Sequence, residues 1–116
     1  MEVYLKLRNG AWMLINKKIE QTTVSSKRRV TRFILAGTTV KGPPSGFENE
    51  VVKVPATVVN RVISRLLDVK EKDIVVVEPV DPEHYAIRVP RGKRDVVESI
   101  LREIAARKRA KGRETS

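Results

Sequence analysis

An Asn9-Gly10 pair lies between two runs of alternating polarity, Val3 to Arg8 and Ala11 to Ile15, and it turns the start of this chain back on itself. Asn-Gly suits a tight type I′ hairpin turn with two central residues. That turn pairs Arg8 with Ala11, Leu7 with Trp12, Lys6 with Met13, Leu5 with Leu14 and Tyr4 with Ile15. Val3, Leu5, Leu7, Trp12 and Leu14 then form a core face. Tyr4, Lys6, Arg8, Met13 and Ile15 form a second face, on which cations mix with apolar and aromatic groups.

The remaining periodicities build a domain around this hairpin. Lys17 to Lys27 is polar and continues the second strand toward a turn near Ser25-Ser26. Arg28 to Leu35 reads as a third strand that ends near Ala36-Gly37, where glycine permits a bend or bulge. It places Arg29, Thr31, Phe33 and Leu35 on one side and Val30, Arg32 and Ile34 on the other. Lys41 to Glu50 holds Gly42, Pro43, Pro44, Ser45 and Gly46 and reads as a loop. Pro55 serves as a first helical residue, followed by Val58, Val59, Val62, Ile63, Leu66 and Leu67 at the spacing of one helical face.

Ile74 to Val77 is a buried strand, Asp81-Pro82-Glu83 a turn, and His84 to Val89 a returning strand. Asp95 caps a last helix whose stripe is Val96, Val97, Ile100, Leu101, Ile104 and Ala105. The expectation is an α+β fold in the order β-β-β-α-β-β-α, a mostly antiparallel sheet of about five strands with both helices on one face. Residues 1–110 form a single domain, and 111–116 a disordered basic tail.

Composition narrows the chemistry. The chain has 116 residues and no Cys, and His84 is its one imidazole, which removes disulfides, thiolate metal sites and most triads. Its longest apolar run, Ala11 to Ile15, falls far short of the roughly 20 residues a spanning helix needs, so a membrane role is not expected and the cytoplasm is. Net charge is +10, unevenly spread: residues 1–46 carry nine basic and two acidic side chains, 47–90 six and eight, and 91–116 nine and four. Basic ends of this kind attract polyanions, of which nucleic acid is the commonest in cytosol. High charge, one Gln and no Cys also fit a protein of hot habitats.

Little in the chain has the makings of catalysis. His84 beside Asp81 and Glu83 could form a general base or a weak metal site, but it lies in a turn without a second imidazole and reads as an ordinary turn histidine. Metal-free ribonuclease chemistry by Tyr4, Arg29 and Arg32 is conceivable, yet their spacing does not require it. Gly42 to Gly46 contains Pro43 and Pro44, which lack the amide donors of a phosphate cradle. No enzyme activity, cofactor or metal is therefore expected. A binding surface remains, because single strands need cations for phosphates and flat side chains for bases. The candidate contacts are Tyr4, Lys6, Arg8, Arg28, Arg29, Arg32, Phe33 and Phe47, with Arg107, Lys108 and Arg109 as a terminal phosphate grip. Trp12 and Tyr85 are assigned to the core.

The order of elements, the basic strands Lys6 to Arg8 and Arg28 to Phe33, and the terminal helix together resemble the ThermoDBP-related archaeal single-stranded DNA-binding proteins. The resemblance implies a small domain whose cleft of basic and apolar side chains takes single-stranded DNA or RNA with little sequence preference, and assembly into oligomers. The leucine-zipper extension of one branch of that family is not expected here. A second, local resemblance joins Val52-Lys53-Val54-Pro55 and Leu67 to Val77 to the strand, helix and strand phrase of AbrB-type swapped-hairpin DNA-binding domains. The helix here is about one turn longer, and Lys72 stands where that family usually has glycine.

The function expected is non-enzymatic binding of single-stranded DNA or RNA, with a homo-oligomer among the expected partners. The rivals are a structural or assembly subunit of a nucleoprotein or protein complex, and a dimeric regulator that binds duplex DNA.

Overall fold

The computed structural model describes residues 1–25, 27–45 and 49–114, except for the side chains of Phe33 and of residues 107–114. Six strands and two helices follow in the order β1 (Glu2–Lys6), β2 (Trp12–Ser25), β3 (Arg28–Val40), β4 (Asn49–Pro55), α1 (Val59–Leu67), β5 (Ile74–Asp81), β6 (His84–Pro90) and α2 (Arg94–Glu114). The strands form one sheet in the order β3-β2-β1-β5-β6-β4. All neighbours are antiparallel except β1 and β5, which run parallel. The fold is thus α+β with a mostly antiparallel sheet, as expected. It has one strand more than the expected order, and that strand lies between β3 and α1.

The extra strand is β4. Val52 and Val54 turn inward while Val51 and Lys53 face solvent, the alternation of a half-buried strand. Pro55 ends this strand rather than opening a helix, and α1 begins four residues later at Val59. Proline is tolerated there because β4 is the sheet's edge. Residues 41–45 do read as a loop, whereas Asn49 and Glu50, assigned to that loop, belong to β4.

Both helices lie on one side of the sheet. Val59, Val62, Ile63 and Leu66 of α1 and Val97, Ile100 and Ile104 of α2 close over Val3, Ile15, Val52, Val54, Val75, Val77, Ile87 and Val89. Burial of these branched side chains, at about 1.5–3 kcal/mol each, is the main force holding the domain together. Ion pairs staple the periphery: Arg65 to Glu103 (3.1 Å) joins the two helices, and Lys93 to Glu71 (2.6 Å) joins the start of α2 to the loop before β5. The helical backbone of α2 runs to Glu114, into the segment 111–116 read as a tail.

The hairpin register differs from expectation by one residue. Gly10 donates its N–H to the Leu7 carbonyl (2.9 Å), and Leu7 donates to Ala11 (2.8 Å), so the loop is the three-residue Arg8-Asn9-Gly10 with Gly10 at φ 92°. Three-residue loops end on a left-handed residue, a place glycine fills without strain. Val3 therefore faces Ile15, Tyr4 faces Leu14, Leu5 faces Met13 and Lys6 faces Trp12. Met13 and Ile15 enter the core, and Trp12 and Leu14 move to the opposite face, the reverse of the assignment from the two-residue turn.

Strand β3 does not stop at Gly37 but runs on to Val40, and the bulge lies across from it, between Ile15 and Lys17 of β2. The ladder is so tight here that a Cβ on Gly37 would sit 2.0 Å from the Leu14 carbonyl oxygen. Gly37→Ala must push one backbone away from the other. The expected loss is about 3 kcal/mol of stability by overpacking, read as a lower denaturant midpoint. An unchanged midpoint would contradict the close approach.

Candidate nucleic-acid interface

The sheet face opposite the helices carries no covering element among the described residues. Alternation along β1 puts Tyr4 and Lys6 on it, and the three-residue turn adds Trp12 and Leu14 from β2. All four are half-buried by their neighbours. The Lys6 ammonium lies 5.8 Å from the centre of the Trp12 ring, a cation–π contact that holds both groups at the surface. Tyr4 sits beside Val76 of β5, which is 4% exposed. Farther across, the Arg88 guanidinium pairs with Glu78 (2.8 Å) and leaves that half of the face without spare charge.

Beyond Ile15 the sheet narrows to two strands among the described residues, because β1 begins only at Glu2. Ile19–Ser25 and Arg28–Ile34 pair only with each other, from Ile19 opposite Ile34 to Ser25 opposite Arg28. At roughly 3.3 Å per residue this arm is about 23 Å long. At its base the Lys18 ammonium bonds the Ser64 carbonyl (3.2 Å) and pairs with Asp68, and Leu35 packs on the core. From Asn16 to Ser25 every residue of β2 is exposed.

The arm continues both faces of the sheet. Lys17, Ile19, Gln21 and Thr23 share the open face with Arg28, Val30, Arg32 and Ile34. Glu20, Thr22 and Val24 share the helix side with Arg29 and Thr31. Among the described residues, none of Lys17, Lys27, Arg28, Arg29 and Arg32 takes part in an ion pair, whereas Lys18, Lys53, Arg65, Arg88, Lys93 and Arg94 all do. The arm thus carries five cations outside any ion pair, as do Lys6, Lys41, Arg61, Lys70, Lys72 and Arg102 elsewhere among the described residues.

The expected contact residues separate accordingly. Tyr4, Lys6, Arg28 and Arg32 lie on one continuous face. Arg29 lies on the other. Arg8 is drawn away: its guanidinium donates to the carbonyls of Asp81 (3.3 Å) and Pro82 (3.1 Å) and rests 5.1 Å from the centre of the Tyr85 ring. Tyr85 itself packs against the core, as assigned. Phe33 pairs with Glu20 in the ladder, but its side chain lies outside the described part, as do Phe47 and the side chains of Arg107, Lys108 and Arg109.

Trp12 and Lys17 escaped the sequence reading. Ala11 to Ile15 is apolar at every position, so alternation there cannot tell the core face from the open one; only the turn length can.

His84 and Asp81 do meet at the turn before β6, with Nδ1 2.9 Å from an Asp81 carboxylate oxygen. The hydrogen bond from His84, then the Glu83 N–H and the charge of Lys53 at 3.5 Å, hold the Asp81 carboxyl down at about 2 against an ordinary 3.8. No cluster of three or more potential metal ligands occurs among the described residues. The Asp81 side-chain contacts serve the turn between β5 and β6.

A depressed carboxyl contributes stability that is complete above about pH 4 and is lost as pH falls through about 2. Asp81→Asn should flatten the stability profile across that window, and His84→Ala should return the Asp81 carboxyl toward its ordinary value in a carboxyl NMR titration. An unmoved titration would contradict the pairing. No family model, curated protein or solved structure matches this chain, so its interface is read from geometry and charge alone.

Proposed function

We propose that this protein is a non-enzymatic, cytoplasmic binder of single-stranded nucleic acid that lays the strand along the open sheet face from Tyr4 and Trp12 onto the arm. One observation carries the reading. The cation-bearing arm and the half-buried aromatic pair share one uncovered face, with Lys6 between Tyr4 and Trp12 and with Lys17, Arg32 and Arg28 leading outward. Stacked bases need flat side chains, which contribute about 1–3 kcal/mol each, and phosphates need cations that internal carboxylates have not neutralised. An enzyme would need more than the one His–Asp pair at the turn before β6. No helix is long and apolar enough to cross a membrane among the described residues.

The arm supports a second reading as well, since a two-stranded ribbon fits the duplex major groove, about 12 Å wide. A single titration separates the two. Fluorescence anisotropy with labelled single-stranded DNA, single-stranded RNA and duplex DNA across a salt series should show tighter binding of single strands, with a slope near −0.7 per phosphate engaged. Trp12→Ala should weaken single-strand binding roughly tenfold, and Arg32→Ala should flatten the salt slope by about 0.7. Tighter duplex binding, insensitive to Trp12→Ala, would replace the single-strand reading with the ribbon-in-groove one. Equal and weak binding of all three would overturn both.

A further inference from the structure

Two features of the arm have no role when a single strand lies on the open face. The first is its pair of open edges. From Lys17 outward β2 pairs, among the described residues, with no strand but β3, and β3 is itself the edge of the sheet. Each edge therefore presents a row of backbone N–H groups without ladder partners. The second is Arg29, which stands on the helix side opposite Val24, while Lys27 lies in the turn at the tip. Cations thus stand on both sides of the ribbon and at its end.

The outer arm also lacks what unpaired bases need. From Asn16 to Arg32 the sequence holds no Phe, Tyr or Trp, and the exposed apolar groups on the open side are the aliphatic Ile19, Val30 and Ile34. Among the described side chains of that face, the flat rings are Tyr4 and Trp12, on the body of the sheet. A duplex groove asks for what the arm has. Phosphates line both of its walls, where backbone N–H groups and long cations donate to them, and aliphatic side chains meet thymine methyl groups on its floor. Two strands about 4.8 Å apart enter a DNA major groove about 12 Å wide, whereas that of duplex RNA is too deep and narrow. An arm of about 23 Å spans about 7 base pairs at 3.4 Å each.

We propose that the preferred ligand is DNA at a junction between duplex and single strand, with the arm in the major groove of the duplex and the unpaired strand on Tyr4, Lys6 and Trp12. The single-strand half rests on the open-face reading; the duplex half rests on the arm's edges and on Arg29. Position fits the two together. Lys17 opens the arm, and Leu14 beside Tyr4 and then Trp12 follow within about 16 Å along β2 on the same face. A strand that leaves the duplex at the base of the arm therefore meets Tyr4 first and Trp12 next. Occupying both surfaces with one ligand makes the second contact intramolecular, which raises affinity above that of either contact alone.

Anisotropy titrations of the full chain compare a DNA single strand, a blunt DNA duplex, the same duplex with a single-stranded overhang on one strand or the other, and the RNA counterpart of that junction. The DNA junction should bind roughly tenfold more tightly than the single strand or the blunt duplex, and more tightly than the RNA junction. Arg29→Ala should flatten the salt slope on the DNA junction by about 0.9, the value for one phosphate of duplex DNA, and should flatten it less on the single strand. A DNA junction bound no more tightly than the single strand, an RNA junction bound equally well, or an equal effect of Arg29→Ala on both ligands would each overturn the proposal. Single-strand affinity that depends on Trp12 would still uphold the open-face reading in those cases. Blunt duplex and junction bound alike, with no affinity for the single strand, would remove both.

Discussion

The length of one turn decides what each face of this sheet presents. With Gly10 at φ 92° closing a three-residue loop, β1 meets β2 so that Val3 pairs with Ile15 and Lys6 with Trp12. One residue fewer in the loop would bury Trp12 and Leu14 and expose Met13 and Ile15, because the side-chain period of a strand is two. The core would then lose Ile15 from beside Val3, and the open face would lose its ring beside Lys6. Core packing and surface chemistry thus share a single backbone cause.

The same strand pair then outgrows the domain. Strand β1 starts at Glu2, so among the described residues β2 pairs with no strand but β3 after the bulge between Ile15 and Lys17, and the ladder continues as an arm. Gly37 lets the two backbones approach across from that bulge, Lys18 ties the arm to the C-terminal end of α1, and Leu35 packs on the core at the arm's base. The long axis of 49 Å against 30 and 28 Å reflects this extension. Rigidity at the base and cations along the length give the arm the character of an outstretched contact surface rather than of core.

Much of this was legible in the residues. The run Ile74–Val77, the turn at Asp81-Pro82-Glu83 and the stripe Val59, Val62, Ile63, Leu66 read directly, because burial on both sides of a strand and on one side of a helix leave distinct patterns. Strand β4 did not, since Pro43 and Pro44 before it and Pro55 at its end are loop and helix-start signals, and only its edge position makes Pro55 acceptable in a strand. The candidate interface was half legible. Tyr4, Lys6, Arg28 and Arg32 could be named from alternation. Trp12 could not, because the uniformly apolar Ala11–Ile15 hides its own phase, and Arg8 was drawn off by Asp81, Pro82 and Tyr85, contacts more than 70 residues away in the chain that no local pattern announces.

Trp12 is the one tryptophan in the chain and lies on the open face beside Lys6, so its fluorescence reports directly on whether bases stack there. Titrating the protein with an unlabelled single-stranded oligonucleotide should quench that emission, saturating at the same concentration as the anisotropy of a labelled strand. Binding detected by anisotropy while Trp12 emission stays unchanged would place the strand elsewhere and contradict the account.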